Sequence, residues 1–195
     1  MQDLGLLQRV VAGTKYCAEV CPAVANGSRL IVADSWAAQS PEIMAAKPDL
    51  VIASVPYQVD AVVEILKSGV RFLGLAPRTL QDIYNDIGAI AALMGAAEQG
   101  ERLVAAMQAA VEEVCLLCRH DRIKPRVFCQ EWSKPIIASQ PWVAELVECA
   151  GGQFVGEPGK TTSSGAISQA MPDVWLAACC GSGRQGAVRE DCQAA

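Results

Sequence analysis

The sequence predicts an α/β protein made of two small lobes with parallel-type sheets, joined by one long rigid helix. Three observations lead to this prediction. Short apolar runs, typical of buried parallel strands, alternate with amphipathic helical runs. A layout of helix end, Pro-Asp and buried strand occurs twice, at 44–54 and at 168–179. A helical run at 97–118 lies between the two copies and would be about 33 Å long.

The first lobe is predicted at residues 1–95 and begins with alternating strands and helices. Its predicted strands are 29–34, 48–54 and 71–76, and its predicted short helices are 40–47 and 58–69. Gly69 favours a helix end because glycine readily adopts a left-handed backbone.

Two long helical runs follow. Thr79 is a candidate N-cap for the first run, whose apolar residues from Leu80 to Met94 fall at helical spacing. Gly95 ends that pattern. The second run, 97–118, is long enough to cross between lobes, so we assign residues 96–119 to the connecting helix.

The second lobe is predicted at residues 120–195, where strands and helices alternate again. Its predicted elements are a strand at 126–131, a helix at 141–151, a short helix ending at Gln169, and strands at 153–156 and 173–179. Pro141 suits the first position of a helix, and Ser163 or Ser164 can cap the short helix.

Composition limits the function classes. Apolar residues make up 52% of the chain and charged residues 19%, which is typical of a folded globular protein. A net charge of −5 argues against a nucleic-acid partner. No apolar run reaches the roughly 20 residues of a membrane span, and the first residues do not resemble a signal peptide. As written, the chain would stay in the cytoplasm.

The motifs that carry catalysis give no support for an enzyme. "GKTT" at 159–162 lacks the first glycine of a phosphate-binding loop. His120, the one histidine, lies in a charged segment, and we expect it to be solvated. Cys115 and Cys118 share one helix face, but a zinc site needs further ligands, so no metal site is predicted. Most of the nine cysteines are expected to be small apolar side chains.

A set of aromatic and small polar residues follows the predicted strands. Ligands of parallel α/β sheets bind beyond the carboxyl ends of the strands. The ligand-binding candidates are therefore Tyr16, Cys17, Trp36, Tyr57, Trp132, Ser133, Trp142, Cys180 and Gly181. Apolar packing between lobes is the alternative role for each of them.

Five stretches of the chain resemble the substrate-binding proteins of ABC importers for cobalamin and iron chelates, nearest the cobalamin-binding branch. These stretches are "VVAGTKYCAEVCP" (10–22), "SPEIMAAKPDLVIAS" (40–54), "GVRFLGLAPRTLQDIYNDIGAIAALMG" (69–95), "EWSKPIIASQPWVAELVECAGG" (131–152) and "PDVWLAACCGSG" (172–183).

The resemblance implies a non-enzymatic carrier that holds a corrinoid in a cleft between two lobes and requires no cofactor. Trp132 and Trp142 would belong to the cleft wall of the second lobe. The partner would be the importer permease, whose arginines an acidic residue on each lobe would contact. Glu42 is the candidate in the first lobe, and Glu145 or Glu148 is the candidate in the second.

The resemblance also implies a periplasmic or cell-surface location. Relative to the family pattern, this sequence starts after the signal peptide and first strand, and stops before the closing strand and helices. We therefore expect a fold truncated at both ends, with exposed sheet edges that favour a homodimer.

Two alternatives to corrinoid binding stay open on the sequence. An iron-siderophore or haem would suit the same aromatic walls in the same fold. A cytoplasmic thiol or metal-binding protein would instead use the nine cysteines.

Overall fold

A computed structural model describes residues 1–27, 29–33, 37–55, 58–119 and 123–177. Short strands alternate with helices throughout these residues, which confirms the predicted α/β class. Contacts group the chain into two compact units. The first unit holds residues 1–76 and 86–103, and the second unit holds residues 77–85 and the described residues from 104 onward. The predicted lobe limits, 1–95 and 120–195, stay a prediction.

The first unit contains two small parallel sheets. Its elements are a 3-10 helix (Leu7–Arg9), β1 (Ala12–Thr14), α1 (Lys15–Val20), α2 (Pro22–Ala25), β2 (Leu30–Val32), α3 (Ser40–Ala45), β3 (Leu50–Ser54), α4 (Val59–Lys67) and β4 (Arg71–Leu75). β3 pairs with β4 in parallel as predicted, and β1, which was not predicted as a strand, also pairs with β2 in parallel.

Arg29 holds the segments around the first sheet together. Its guanidinium donates hydrogen bonds to the carbonyl oxygens of Leu7, Val10, Ala23 and Asn26 at 3.0–3.2 Å. Arginine can serve several carbonyls at once because its planar group carries five N–H donors. One side chain therefore fixes the chain before β1 against the end of α2.

Two long helices carry residues of both units. They are α5 (Leu80–Leu93) and α6 (Ala97–Cys118), and α6 has the predicted bounds. Thr79 caps α5 as predicted, since its hydroxyl accepts the Asp82 N–H at 3.0 Å. The Asp82 carboxylate accepts the Thr79 N–H at 2.9 Å in return, which completes a capping box.

The capping box depends on the charge of Asp82. Backbone hydrogen bonds from Arg78 and then Thr79 lower the pKa of the Asp82 carboxyl below its usual value of 3.8. A lowered pKa means that the stabilising contribution is present above pH 3.8 and is lost as the pH falls through the folded-state pKa.

The second unit is built on a five-stranded mixed sheet. Its further elements are β5 (Arg126–Ser133), β6 (Ile136–Ala138), α7 (Pro141–Cys149), β7 (Gln153–Phe154), β8 (Thr161–Thr162), α8 (Ser164–Ala170) and β9 (Val174–Ala177). β7 and β9 pair with β5 in parallel, whereas β6 pairs with β5 and β8 in antiparallel fashion.

The predicted parallel pairing holds for β7 and β9 against β5, but β6 pairs with β5 and β8 in antiparallel fashion. β6 was not predicted as a strand, and β5 was predicted to end at residue 131 instead of Ser133. The turn at Lys134 and Pro135 reverses the chain within two residues, so the strands on either side form a hairpin. Hairpin strands are necessarily antiparallel.

A compact apolar cluster lies between this sheet and α8. Phe128 is 1% exposed and packs with Ala138, Val155 and Ile167, all of which are buried. Ser163 caps α8, because its hydroxyl accepts the Ala166 N–H at 3.2 Å. The cap fixes the start of the helix that contributes Ile167 to the cluster.

The predicted sequence repeat is also a repeat of backbone structure. α3 is followed by Pro48, Asp49 and β3, and α8 is followed by Pro172, Asp173 and β9. In each copy the residue before the proline has a positive φ: 50° at Lys47 and 44° at Met171. A left-handed residue ends a helix abruptly, so both copies turn from helix to strand by the same local geometry.

Gly100 in α6 allows a close approach to α5 within the first unit. A Cβ atom at Gly100 would collide with the Cβ of Ala91, which is fully buried. We predict that Gly100→Ala lowers the free energy of unfolding by about 1–3 kcal/mol, because the two helices must move apart. Chemical denaturation measures this change.

Gly88→Ala is the matched control for that variant. Gly88 lies in α5, and a Cβ atom at this position would have no atom from outside its own helix within 4 Å. Alanine should therefore stabilise the helix by up to about 1 kcal/mol. If Gly100→Ala is as stable as the unsubstituted protein, the two helices do not pack as described.

Candidate ligand-binding site

Tyr16 and Cys17 lie in the first turn of α1, directly after β1. The Thr14 hydroxyl caps this helix by accepting the Cys17 N–H at 3.3 Å. The ammonium of Lys15 lies 4.8 Å from the centre of the half-buried Tyr16 ring, a cation–π distance. Both candidates therefore lie at the carboxyl end of β1, where a ligand-binding residue was expected.

Trp132 lies in the hairpin between β5 and β6. It was predicted to follow a strand, but it is part of β5 and lies opposite Ile137. The register shifts between Gln130 and Trp132, because one residue of β5 bulges out of the ladder. The Trp132 Nε1–H donates to the carbonyl oxygen of Lys134 at 3.2 Å, and the residue remains 38% exposed.

Ser133 and Trp142 lie near the same hairpin. Ser133 is exposed at the end of β5, and Trp142 is half-buried in the first turn of α7. Gln140, the N-cap residue of α7, donates from Nε2 to the Glu131 carboxylate at 2.9 Å. This hydrogen bond joins the start of α7 to the part of β5 that carries Trp132.

Four predicted ligand-binding residues lie outside the described residues: Trp36, Tyr57, Cys180 and Gly181. His120 lies outside them as well. Their predicted roles stay predictions.

The three glutamates proposed to contact a permease differ in their surroundings. The Glu42 carboxylate accepts the Ala33 N–H at 2.7 Å, between α3 and the end of β2. The Glu145 carboxylate accepts the Leu80 N–H at 2.9 Å, at the first residue of α5. Glu148 is exposed one turn further along α7. Two of the three thus have structural hydrogen bonds, and Glu148 is the most open to a partner.

Trp175 is an exposed aromatic residue that the sequence reasoning missed. It lies in β9, which was predicted to be buried but is exposed along its whole length, at 37% for Trp175 itself. Its ring contacts Phe128 edge-on at 5.5 Å, and its Nε1–H donates to the Gln130 side chain at 3.0 Å. β9 pairs with β5 at the edge of the described sheet, so one flank of the strand is open.

A cavity of about 300 Å³ in the second unit does not coincide with the predicted site. Phe128, Glu157, Lys160 and Ile167 are among the residues that line it. Its volume is at the small end of the range for ligand pockets. Across the described part of the chain, no group of three or more His, Cys, Asp or Glu residues is placed to hold a metal ion. No helix in that part is long and apolar enough to cross a membrane.

Solved structures with the same fold are periplasmic binding proteins. The haem-binding protein RhuT from Roseiflexus sp. RS-1 superimposes with a TM-score of 0.77 at 21% identity, over 90% of this chain and 70% of that one. The vitamin B12 binding protein BtuF of Vibrio cholerae superimposes with a TM-score of 0.70 at 20% identity, over 90% of this chain and 70% of that one. A possible iron-binding protein from Staphylococcus epidermidis superimposes with a TM-score of 0.69 at 20% identity, over 90% of this chain and 71% of that one.

The family model for periplasmic binding proteins matches residues 1–193. The chain therefore belongs to the periplasmic binding protein family, which confirms the suspected family of ABC importer substrate-binding proteins. No curated protein matches the sequence closely enough to count as a relative.

A comparison of Glu145, which accepts a hydrogen bond, with the exposed Glu148 tests whether Glu145 stabilises the fold. We predict that Glu145→Ala lowers the free energy of unfolding by about 1 kcal/mol, because the first N–H of α5 loses its acceptor. Glu148→Ala, the control, should change it by less than about 0.5 kcal/mol. Equal losses for both variants would mean that Glu145 does not cap α5 in solution.

Proposed function

We propose that this protein captures a corrinoid such as cobalamin and delivers it to an ABC importer in the periplasm or at the cell surface. Family membership supports a carrier of small molecules, and the observation that favours a flat ring-shaped ligand is the placement of Trp132. Its ring is partly exposed, yet the hydrogen bond from Nε1 to Lys134 fixes its orientation. A fixed aromatic face offers contact area at little further cost in side-chain entropy.

The neighbourhood of Trp132 supports the same role. The indole lies on the β5–β6 hairpin, in which β6 pairs with β5 along one edge and with β8 along the other. The hydrogen bond between Gln140 and Glu131 attaches α7 to the same strand. The Trp132 ring therefore rests on regular structure, which positions a binding residue more firmly than an open loop does.

Haem is the second candidate, and Tyr16 favours it. A tyrosine phenolate is one of the protein groups that bind haem iron. Tyr16 lies in the first turn of a capped helix, and the Lys15 ammonium lies 4.8 Å from the centre of its ring. A corrinoid does not require such an oxygen ligand, so Tyr16 distinguishes the two ligands.

The thiol or metal-binding alternative has less support than a carrier role, because family membership explains the fold without it. The homodimer expected from the sequence stays a prediction, which light scattering can test. For permease docking, Glu148 is the candidate that we favour in the second unit, since its carboxylate is exposed.

Trp132→Ala tests the proposed ring contact. We predict that it weakens cobalamin or cobinamide binding on the order of tenfold, while the melting temperature changes little. Titration followed by the absorbance of the ligand measures the affinity without using tryptophan fluorescence.

Trp175→Ala is the matched control, because Trp175 has nearly the same exposure but packs against the buried Phe128. This variant should lower the melting temperature and leave affinity unchanged. Unchanged affinity in Trp132→Ala with a large fall in melting temperature would show that Trp132 supports the fold instead.

Tyr16→Phe distinguishes haem from corrinoids. If haem is the ligand, the variant should bind ferric haem more weakly and shift the absorbance spectrum of the complex, because the phenolate ligand is lost. Corrinoid affinity should be unchanged. Retention of the ring in phenylalanine preserves packing, so an identical haem spectrum in both proteins would exclude Tyr16 as the iron ligand.

A further inference from the structure

The two asparagines of this chain have different neighbours. Asn26 is followed by Gly27 at the end of α2, whereas Asn85 is followed by Asp86 within α5. Both asparagines are exposed to solvent. A difference in their chemical reactivity would therefore come from the backbone and the contacts around each residue, because access to water is similar for both.

The backbone nitrogen of Gly27 is open to the side chain of Asn26. Asn26 ends α2, where its own N–H donates to the Pro22 carbonyl oxygen at 3.1 Å, and Gly27 has a φ of 118°. Within the residues that the structure describes, the Gly27 N–H has no hydrogen-bond acceptor. Glycine has no side chain, so no Cβ atom shields this nitrogen.

Asn85 is held by its helix instead. Its side-chain oxygen accepts a hydrogen bond from Gln81 Nε2 at 3.0 Å, one turn earlier in α5. Asp86 lies in the interior of the same helix, where each backbone N–H donates to the carbonyl oxygen four residues before it. The backbone nitrogen next to the Asn85 side chain is therefore already engaged.

We propose that Asn26 is a site of spontaneous deamidation and that Asn85 is protected from the same reaction. Asparagine is among the chemically labile residues of proteins. The Gly27 nitrogen loses its proton and bonds to the Asn26 side-chain carbon Cγ, and the Cγ–Nδ2 bond breaks as ammonia leaves. Water then opens the resulting succinimide ring at either carbonyl carbon. One amide and one water thus become one carboxyl group, as aspartate or isoaspartate, and one ammonia.

The modification changes a turn that Arg29 stabilises. Arg29 Nη1 donates to the carbonyl oxygens of Ala23 and Asn26 at 3.0 and 3.2 Å. Isoaspartate carries the main chain through Cβ and Cγ, which lengthens this turn. Either product also makes the net charge of −5 one unit more negative.

The modified turn is remote from the candidate ligand-binding residues of the first unit. It precedes β2, whereas Tyr16 and Cys17 follow β1, and these two strands are parallel. The turn and the two candidates therefore lie at opposite ends of the same small sheet. The proposal does not depend on the identity of the ligand.

Peptide mapping of the full chain tests the proposal. The purified protein is incubated at mildly alkaline pH and sampled with time, and a sample digested before incubation corrects for deamidation during digestion. Trypsin places Asn26 in peptide 16–29 and Asn85 in peptide 79–102. We expect peptide 16–29 to convert into two products of equal mass, the aspartate and isoaspartate forms, while peptide 79–102 retains the Asn85 amide.

Two variants test the ring mechanism. Asn26→Gln is the matched control, since it keeps an amide at this position but requires a larger ring, and its peptide should remain unchanged. Gly27→Ala should slow the loss of the Asn26 amide, because a methyl group shields the attacking nitrogen. A Cβ atom at Gly27 would lie 3.5 Å from Arg29 Nη1, an ordinary contact distance.

Three results would overturn the proposal. They are a loss of amide at Asn26 no greater than at Asn85, a product at Asn26 that contains aspartate without isoaspartate, and an unchanged rate in Gly27→Ala. The two peptides of the unsubstituted protein decide the question even if a variant does not fold.

Discussion

The second unit depends on the pairing of β5 along both of its edges. β9 forms a parallel ladder with one edge, while β7 and β6 occupy successive parts of the other. A strand paired on both edges has its backbone groups satisfied, so it can carry a buried side chain such as Phe128. The same strand continues past the core to Trp132. One strand, β5, thus carries both the buried Phe128 of the core and the Trp132 ring of the proposed binding site.

Carboxylates have a recurring role at the ends of strands and helices. Asp173 accepts the Arg126 N–H at 2.7 Å where β5 begins, and Glu42 and Glu145 accept N–H groups of Ala33 and Leu80. A carboxylate satisfies an N–H group that has no partner in its own element and is favoured at the positive end of a helix. Some of the Asp and Glu side chains therefore stabilise the fold.

The candidate site was predicted from the sequence only in part. Tyr16 and Cys17 do follow a strand, but neither β1 nor the Thr14 cap of α1 was predicted from the sequence. Trp132 was predicted to follow a strand but lies within β5. The sequence reasoning missed β6, the three-residue strand that pairs with this part of β5. "KPIIAS" has two β-branched residues after a turn proline, which was the signal for that strand.

The sequence alone determined the α/β class, the bounds of α6, the Thr79 cap and the repeated turn from helix to strand. Each depends on periodicity or on contacts between residues close in the chain, which a local pattern records. The tertiary structure decided the exposure of β9 and the internal hydrogen bond of Glu145. Both depend on residues distant in the chain, since β9 pairs with β5 and Glu145 lies 65 positions from Leu80, and no local pattern specifies how such elements pack.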